Sequence, residues 1–513
     1  MKSVKEKILV LDFGGQYNQL IARRVRDNNV YAEIKPYTAS LDEIKSENYK
    51  GIIFTGGPNS VFDMSSPHYD EEILNLGIPV LGICYGCQLI CHMRGGKVET
   101  ADFSEYGKIN MSVDKKKSVL FENVPDSVVW MSHTDRITQV PSRFEITAHS
   151  DNCPVAAMEN VEENIYAVQF HPEVTHSEFG DKILSNFIFN VCHCKGDWKM
   201  ESFIDNTVKS LRDKIGDKKV VLGLSGGVDS SVAAALLSKA VGNQLTCVFV
   251  DQGLMRKDEG DFVENTFTKL FDMNFVRVNC GDEFISKLKG VIDPEEKRNI
   301  IGTEFYNVFW NKTREEAKSG FFAQGTIYPD CIESGKGDAD KIKTHHNKVK
   351  MPDDIKFDDV IEPLCDLFKD EVRRVGELLG IPKELVWRQP FPGPGLGVRI
   401  IGEITCEKVK VLQEADAVLR DEIKRSGIEQ DLSQFFAVLT DVKTVGVMGD
   451  HRTYDNLIAI RAVTTDDFMT ADFAKIPYDI LARVSNRIIN ECTGVNRVVY
   501  DITSKPPGTV EWA

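Results

Sequence analysis

The sequence predicts an α/β protein: two parallel-sheet α/β domains followed by a smaller α+β C-terminal domain. Three observations predict it. Short β-branched runs alternate with helical patterns up to about residue 190. The alternation stops at a polar stretch and then restarts with its own glycine-rich turn. Beyond a Pro/Gly-dense segment, strands mix with amphipathic helices. At 513 residues the chain exceeds what one hydrophobic core organises, so several domains are expected.

In chain order, KILVLDFGG, GIIFTGGP, IPVLGICYG and NIYAVQFHPE each read as a buried strand ending in a turn. Strands alternating with helices imply a parallel sheet, with active loops at the strands' carboxyl ends. CHCKGDWKMES (192–202) interrupts the pattern and marks a first boundary, giving a domain over 1–195. KVVLGLSGGVDSSVAAALLSKAV, QLTCVFVDQGLM and FFAQGTIYPD restart it in a domain over 203–388. Within that domain, 331–357 is polar and Lys-rich and reads as a long loop or lid. RQPFPGPGLGVR (388–399) marks the second boundary, and the strands FFAVLT, VGVMGD and RVVYDI belong to a region over 389–513.

Composition excludes several classes. Hydrophobic content of 42% and charged content of 27% suit a globular protein. A net charge of −16 argues against nucleic-acid binding, which leaves a basic footprint. No apolar run approaches a membrane span, and MKSVKEKILVLDFGG lacks the form of a signal peptide. Twelve scattered cysteines without secretory context suggest reduced thiols in the cytoplasm.

Three of those cysteines fall in GICYGCQLIC, at 84, 87 and 91. A structural zinc site needs four ligands, commonly with a second C-x-x-C or an H-x-x-x-H, and the only other close cysteines are Cys192 and Cys194 in C-x-C spacing. A redox C-x-x-C pair at a helix start is a second reading. The third uses the glycines. Gly82-Ile83-Cys84-Tyr85-Gly86 follows an apolar strand and precedes a helical run, the setting of a nucleophile elbow. There the residues two before and two after the nucleophile must be small. Cys87 and Cys91 are then core residues. A thiolate also needs a base and an orienting acid, and His171 and Glu173 in QFHPEVTH supply both types at a strand end.

GICYGCQ and FHPEVTH resemble the class I glutamine amidotransferases, which implies a flavodoxin-like fold and a Cys84, His171 and Glu173 triad releasing ammonia from glutamine. The resemblance also implies an oxyanion hole built from the N–H groups of Gly57 and Tyr85.

LGLSGGVDSS (222–231) is a strand-to-helix turn without the G-K-[ST] of a Walker A loop. Its small residues can offer backbone N–H groups to an anion, and Ser225, Ser230 and Ser231 add hydroxyls. Asp229 would repel a bare phosphate, so Mg²⁺ between them is inferred. SGGVDSS resembles the pyrophosphate loop of the ATP pyrophosphatases. That implies an adenine nucleotide α-hydrolase-like fold and ATP gripped by Ser225, Gly226, Gly227, Val228, Asp229, Ser230 and Ser231.

EEKRNIIGTEFYNVF, RQPFPGPGLGVR, VGVMGDHRTY and DITSKPPGTVEW extend the resemblance over essentially the full length to the glutamine-hydrolysing GMP synthase family. The resemblance implies XMP, ATP and glutamine as substrates, and a homodimer formed through the C-terminal region. Lys297, Arg298, Arg399, Arg452 and Lys505 are basic candidates for a nucleotide phosphate. Arg298 and Lys505 are preferred among them, and Thr509 and Glu511 join as substrate contacts by resemblance. A tail carrying two prolines and an aromatic is expected to be tied down. Two segments depart from the family pattern: THHNKVKMPDD, with His345 and His346, is less glycine-rich than expected, and His451 replaces a smaller residue. The rival readings are an NAD synthetase or another glutamine-fed ATP pyrophosphatase, a tRNA-thiolating enzyme, and a scaffold carrying a degenerate amidotransferase domain.

Overall fold

The computed structural model describes residues 6–63, 65–114, 117–314, 320–333, 356–465 and 470–513. The expected lid, with His345 and His346, lies almost wholly outside them. The chain forms two compact units, Met1–Phe203 and Ile204–Ala513.

The first unit is built on nine strands: β1 Lys7–Asp12, β2 Tyr31–Pro36, β3 Tyr49–Phe54, β4 Val80–Ile83, β5 Lys97–Val113, β6 Ser127–Gln139, β7 Glu145–His149, β8 Ala157–Asn160 and β9 Ile165–Val168. Their order is β2-β1-β3-β4-β9-β8-β7-β5-β6. The first five are parallel neighbours. All four residues of β4 and of β9 are buried. That explains why the sequence reads there as continuous apolar runs, the pattern of a sheet covered on both faces. From β9 onward the pairing turns antiparallel through β8, β7, β5 and β6, so the sheet is mixed where the sequence implied a parallel one. The reason is visible in β6, SVVWMSHTDRITQ, where buried and accessible residues alternate with period two. Such strands bury one face only and need no helical crossover.

The second unit holds two sheets. β10 Lys219–Gly223, β11 Leu245–Asp251, β12 Asn274–Asn279, β13 Gly320–Ala323 and β14 Asp359–Ile361 form a parallel sheet in the order β12-β11-β10-β13-β14. β15 Gln434–Met448, β16 His451–Thr464, β17 Asp472–Phe473 and β18 Val495–Asp501 form the other. FFAVLT and VGVMGD are two halves of one strand, β15, whose register shifts between Leu439 and Lys443. His451 pairs with Met448 at the exposed hairpin tip. One hydrophobic cluster includes Val221, Val248, Phe309 and Trp310 together with Leu396, Leu412, Phe435 and Ile458. Residues on both sides of RQPFPGPGLGVR therefore share a core. No helix among the described residues is long and apolar enough to cross a membrane.

Lys297, a sequence-level phosphate candidate, is fully buried on the helix Pro294–Thr313. Its Nζ donates to the Ile400 carbonyl at 2.7 Å. Burial, with the like charge of Lys408, pushes its pKa from 10.5 down to about 8. It serves the join between that helix and the segment after Arg399, not a solvent-borne ligand. Between these two pH values the unfolded chain holds a proton that the folded lysine has released, so folding strengthens as pH rises. The stability of the native chain relative to Lys297→Met should therefore grow by roughly 1–3 kcal/mol from neutral pH to the upper value. Denaturant titrations at several pH values measure it, and a flat difference would contradict the buried charge.

Candidate functional site

The turn from β4 into the helix Tyr85–Met93 sets the first site. Cys84 sits at its corner with φ 54° and ψ −107°, a region that residues with a Cβ rarely adopt. The turn is tight because its two glycines touch other backbone. A Cβ on Gly82 would lie 2.6 Å from the Gly86 carbonyl oxygen, and one on Gly86 would lie 2.5 Å from the Phe54 carbonyl oxygen. Cys84 is lifted at the helix start, 7% exposed, while Cys87 and Cys91 are fully buried. Burial pushes the Cys87 thiol well above its usual value and the Cys91 thiol up to about 12. Both are inert core residues, and neither joins a metal-capable cluster among the described residues.

His171 and Glu173 follow β9, the parallel neighbour of β4. His171 Nδ1 lies 2.7 Å from Glu173 Oε1, and the Cys84 sulfur is within hydrogen-bonding reach of the same ring. The ring is fixed further by Tyr17, edge-on with centroids 5.1 Å apart. Its backbone is held by the N–H to the Trp130 carbonyl at 2.9 Å and by the Ser177 hydroxyl on its own carbonyl at 2.6 Å. Burial alone would lower the imidazole's pKa, but the charges of Glu173 and Cys84 overcome it and hold the ring protonated well above its usual range. Glu173 is fully buried, and the guanidinium of Arg24 donates to its backbone carbonyl at 2.9 Å. The TGGP turn after β3 closes the site: a Cβ on Gly56 would stand 3.5 Å from His171 Cε1 and 3.8 Å from Cys84 Cβ. Among the described residues, no acceptor meets the N–H of Gly57 or of Tyr85. A thiol, an imidazole and a carboxylate in sequence, beside two open N–H donors, are equipped for nucleophilic acyl transfer.

The second site is the turn after β10. Gly226 has φ 73°, and Gly227 caps the helix Val228–Val241. The serines brace the turn. Ser225 and Ser230 hydroxyls lie 3.0 Å apart, Ser230 donates to the Gly227 carbonyl at 3.1 Å, and Ser231 donates to the same carbonyl at 2.7 Å. Among the described residues, the N–H groups of Gly226, Val228 and Asp229 meet no protein acceptor. These are the orphan donors of a helix start, a ready anion cradle. Asp229 is paired with Lys369, whose Nζ lies 2.8 and 2.6 Å from its two oxygens.

The third group gathers at the tail. Arg399, fully buried, donates to Glu511 in a fork at 3.0 and 2.7 Å and stacks 4.0 Å above the Phe436 ring. Arg461 donates to the carbonyls of Thr503 at 2.5 Å and Thr509 at 3.0 Å. Arg298 reaches the Ala513 carbonyl at 2.6 Å, and Lys505 pairs through its backbone with Ala471. The tail is tied down, as its composition implied. Thr509 and Glu511 line a cleft with Arg461, Tyr500, Asp501 and Trp512. Arg452 lies apart, exposed on the hairpin.

Sequence reasoning missed two partners of the glycine turn, Lys369 and Arg388. Lys369 neutralises Asp229, and Arg388 donates to the Gly226 carbonyl and to Glu259. Arg388 lies inside the segment read as a boundary, and nothing in its spacing connects it to residue 226.

Residues 9–191 match the class-I glutamine amidotransferase family, residues 199–296 the NAD synthase family, and residues 421–512 the GMP synthase C terminal domain. Over the whole length the chain is similar to proteins named GMP synthase [glutamine-hydrolyzing]. That of Ruminiclostridium cellulolyticum is 59% identical over 507 residues, covering 99% of each chain. That of Acetivibrio thermocellus is 60% identical over 508 residues and that of Clostridium botulinum (strain Kyoto / Type A2) 58% over 509, each also covering 99% of both chains.

The crowding at the elbow sets an expectation. Gly86→Ala forces a methyl group against the Phe54 carbonyl and should destabilise the first unit by roughly 2–4 kcal/mol. A thermal melt within a degree of the native protein would contradict the packing described.

Proposed function

The chain belongs to the glutamine-hydrolysing GMP synthase family, and on that premise we propose that it aminates XMP to GMP with ammonia cut from glutamine, at the expense of ATP. AMP, pyrophosphate and glutamate are the other products. The observation that carries the reading is the joined geometry of Cys84, His171 and Glu173 at an elbow whose oxyanion donors stand open.

The Cys84 sulfur, its proton already held on the charged His171 ring, attacks the glutamine carboxamide carbon. The N–H groups of Gly57 and Tyr85 hold the developing oxyanion, and each such donor is worth ~10²–10³ in rate. His171 returns the proton to the departing nitrogen, ammonia leaves, and water then cleaves the thioester to glutamate. Glu173 keeps the ring's orientation and steadies its charged form.

The turn over Ser225, Gly226, Gly227, Val228, Asp229, Ser230 and Ser231 takes the ATP phosphates on its open N–H groups. The xanthine 2-oxygen attacks the α-phosphorus and pyrophosphate departs. Ammonia then adds at the adjacent carbon and AMP leaves. Mg²⁺ fits Asp229: magnesium commonly rides on one carboxylate and substrate phosphates. Bound there, it would neutralise phosphate charge, with Lys369 releasing the carboxylate to it. Arg298, Lys505, Thr509 and Glu511 are the XMP contacts, and the fork from Arg399 holds the Glu511 carboxylate in one orientation.

We divide the chain into an amidotransferase domain (1–195), an ATP pyrophosphatase domain (203–388) and a dimerisation and XMP-binding domain (389–513). The match of residues 199–296 to NAD synthases reflects the shared nucleotide-binding part. The C-terminal match and full-length relatives favour a purine acceptor over deamido-NAD. A homodimer through the C-terminal region is supported by apolar side chains on the β15–β16 hairpin, among them Val445, Tyr454 and Val447, the last 76% exposed. A cytoplasmic location is supported by the absence of disulfides among the described residues.

AMP release measured with XMP, IMP or deamido-NAD as acceptor tests the assignment directly, and only XMP should support it. Cys84→Ala should abolish the glutamine-dependent reaction while ammonium salts still drive GMP formation. Loss of both reactions in a folded variant would refute separate sites. Asp229→Asn should lower synthetase turnover by roughly 10-fold or more and shift its magnesium dependence, whereas unchanged turnover would remove the aspartate from the site.

A further inference from the structure

Strand β6 forms a wall of the Cys84 site. The Cys84 sulfur lies 3.7 Å from the Ser132 carbonyl oxygen. The next residue, His133, turns to the opposite face of the strand and is buried, 5% exposed. Its Nδ1 lies 2.9 Å from the Asp135 carbonyl oxygen. A carbonyl only accepts, so Nδ1 carries a hydrogen. Nε2 then faces Glu105 Oε2 at 3.3 Å, also buried. A ring nitrogen lone pair and a carboxylate oxygen at that distance in a dry site need one proton between them.

The surroundings lock this arrangement. The other Glu105 oxygen accepts from the Ser150 hydroxyl at 2.8 Å, and that hydroxyl accepts the Cys153 N–H at 3.0 Å. The Asp135 carbonyl that receives His133 also receives Gln88 Nε2 at 2.9 Å. Gln88 stands one turn into the helix that Cys84 begins. One carbonyl thus joins the imidazole to the helix carrying the sulfur. Burial lowers the His133 pKa, Glu105 opposes the drop, and a charged His171 adds to it, so the two histidines sense each other.

We propose that Glu105 and His133 form a buried, proton-sharing pair that positions the Ser132 carbonyl and the Cys84 helix for glutamine. Neither touches the reacting atoms; both act through the strand and through Gln88. The inference rests on Cys84 being the nucleophile. The Ser132 carbonyl faces the sulfur that the glutamine carboxamide has to reach. A wall that drifts there misplaces substrate against sulfur, and misplacement of about 1 Å can cost ~10²-fold.

Glu105→Ala leaves Nε2 without a partner, whereas Glu105→Gln offers it an amide hydrogen in place of the shared proton. His133→Asn keeps the donor to Asp135 and loses the contact with Glu105. Glutamine kcat and KM are measured on the full chain, normalised to the fraction of Cys84 alkylated by iodoacetamide in peptide maps. Glu105→Ala and His133→Asn should lose about 10–100-fold in kcat/KM per titratable Cys84, and Glu105→Gln should recover most of it. A merely structural role would lower the titratable fraction or the melting temperature and leave the per-site constant intact. That outcome, or equal losses in Glu105→Ala and Glu105→Gln, overturns the proposal. Cys84→Ala assayed alongside keeps the two readings apart: glutamine hydrolysis surviving there would sink the nucleophile assignment, whatever Glu105 does.

Discussion

The left-handed backbone at Cys84 is the constraint on which the first site depends. A cysteine pays a steric cost there, about 1–3 kcal/mol for such conformations. The cost is held by two backbone contacts that only glycine permits, Gly82 against Gly86 and Gly86 against Phe54. The same turn that strains Cys84 raises its sulfur out of a core holding Cys87 and Cys91. It also leaves the Tyr85 N–H, the first of the helix, without an acceptor among the described residues. A sulfur turned from the core and an open N–H are thus two consequences of one bend, and β9, lying parallel to β4, brings His171 and Glu173 to it.

The glycine turn after β10 repeats the same physics. There, too, a strand ends, a glycine takes positive φ, and a helix begins with unsatisfied N–H groups. An acidic protein, at net charge −16, can in this way receive a polyanion without a basic surface. Side chains reinforce the turn from behind: Arg388 draws on the Gly226 carbonyl, and Lys369 balances Asp229. Charges at the tail are likewise arranged inward, with Arg399 and Arg461 buried against Glu511, Asp501 and backbone carbonyls.

Much of this was legible in the sequence because it is local. The elbow, the serine-glycine turn and the His-Pro-Glu strand end are each specified within a few residues, and their neighbours in the sheet follow from β-α alternation. What the sequence hid is pairing across long separations. The antiparallel half of the first sheet depends on β5 finding β6 and β7. Its only local sign is the period-two burial of SVVWMSHTDRITQ. β15 looked like two strands because its register shifts where Asp441 and Val442 intervene. Lys297 looked like a phosphate ligand because a basic residue beside Arg298 carries no sequence mark of burial. Arg388 and Lys369 act on residues well over a hundred positions away, beyond the reach of any motif.

On the proposed function, nitrogen freed at Cys84 is the nitrogen installed on the purine. Glutamine labelled with ¹⁵N at its side-chain amide tests it, with XMP, ATP and Mg²⁺ supplied and the product read by mass spectrometry. The native chain should give GMP carrying one ¹⁵N at the 2-amino group, and Cys84→Ala should give none from glutamine. Labelled GMP from the Cys84→Ala chain, or unlabelled GMP from the native one, would contradict it.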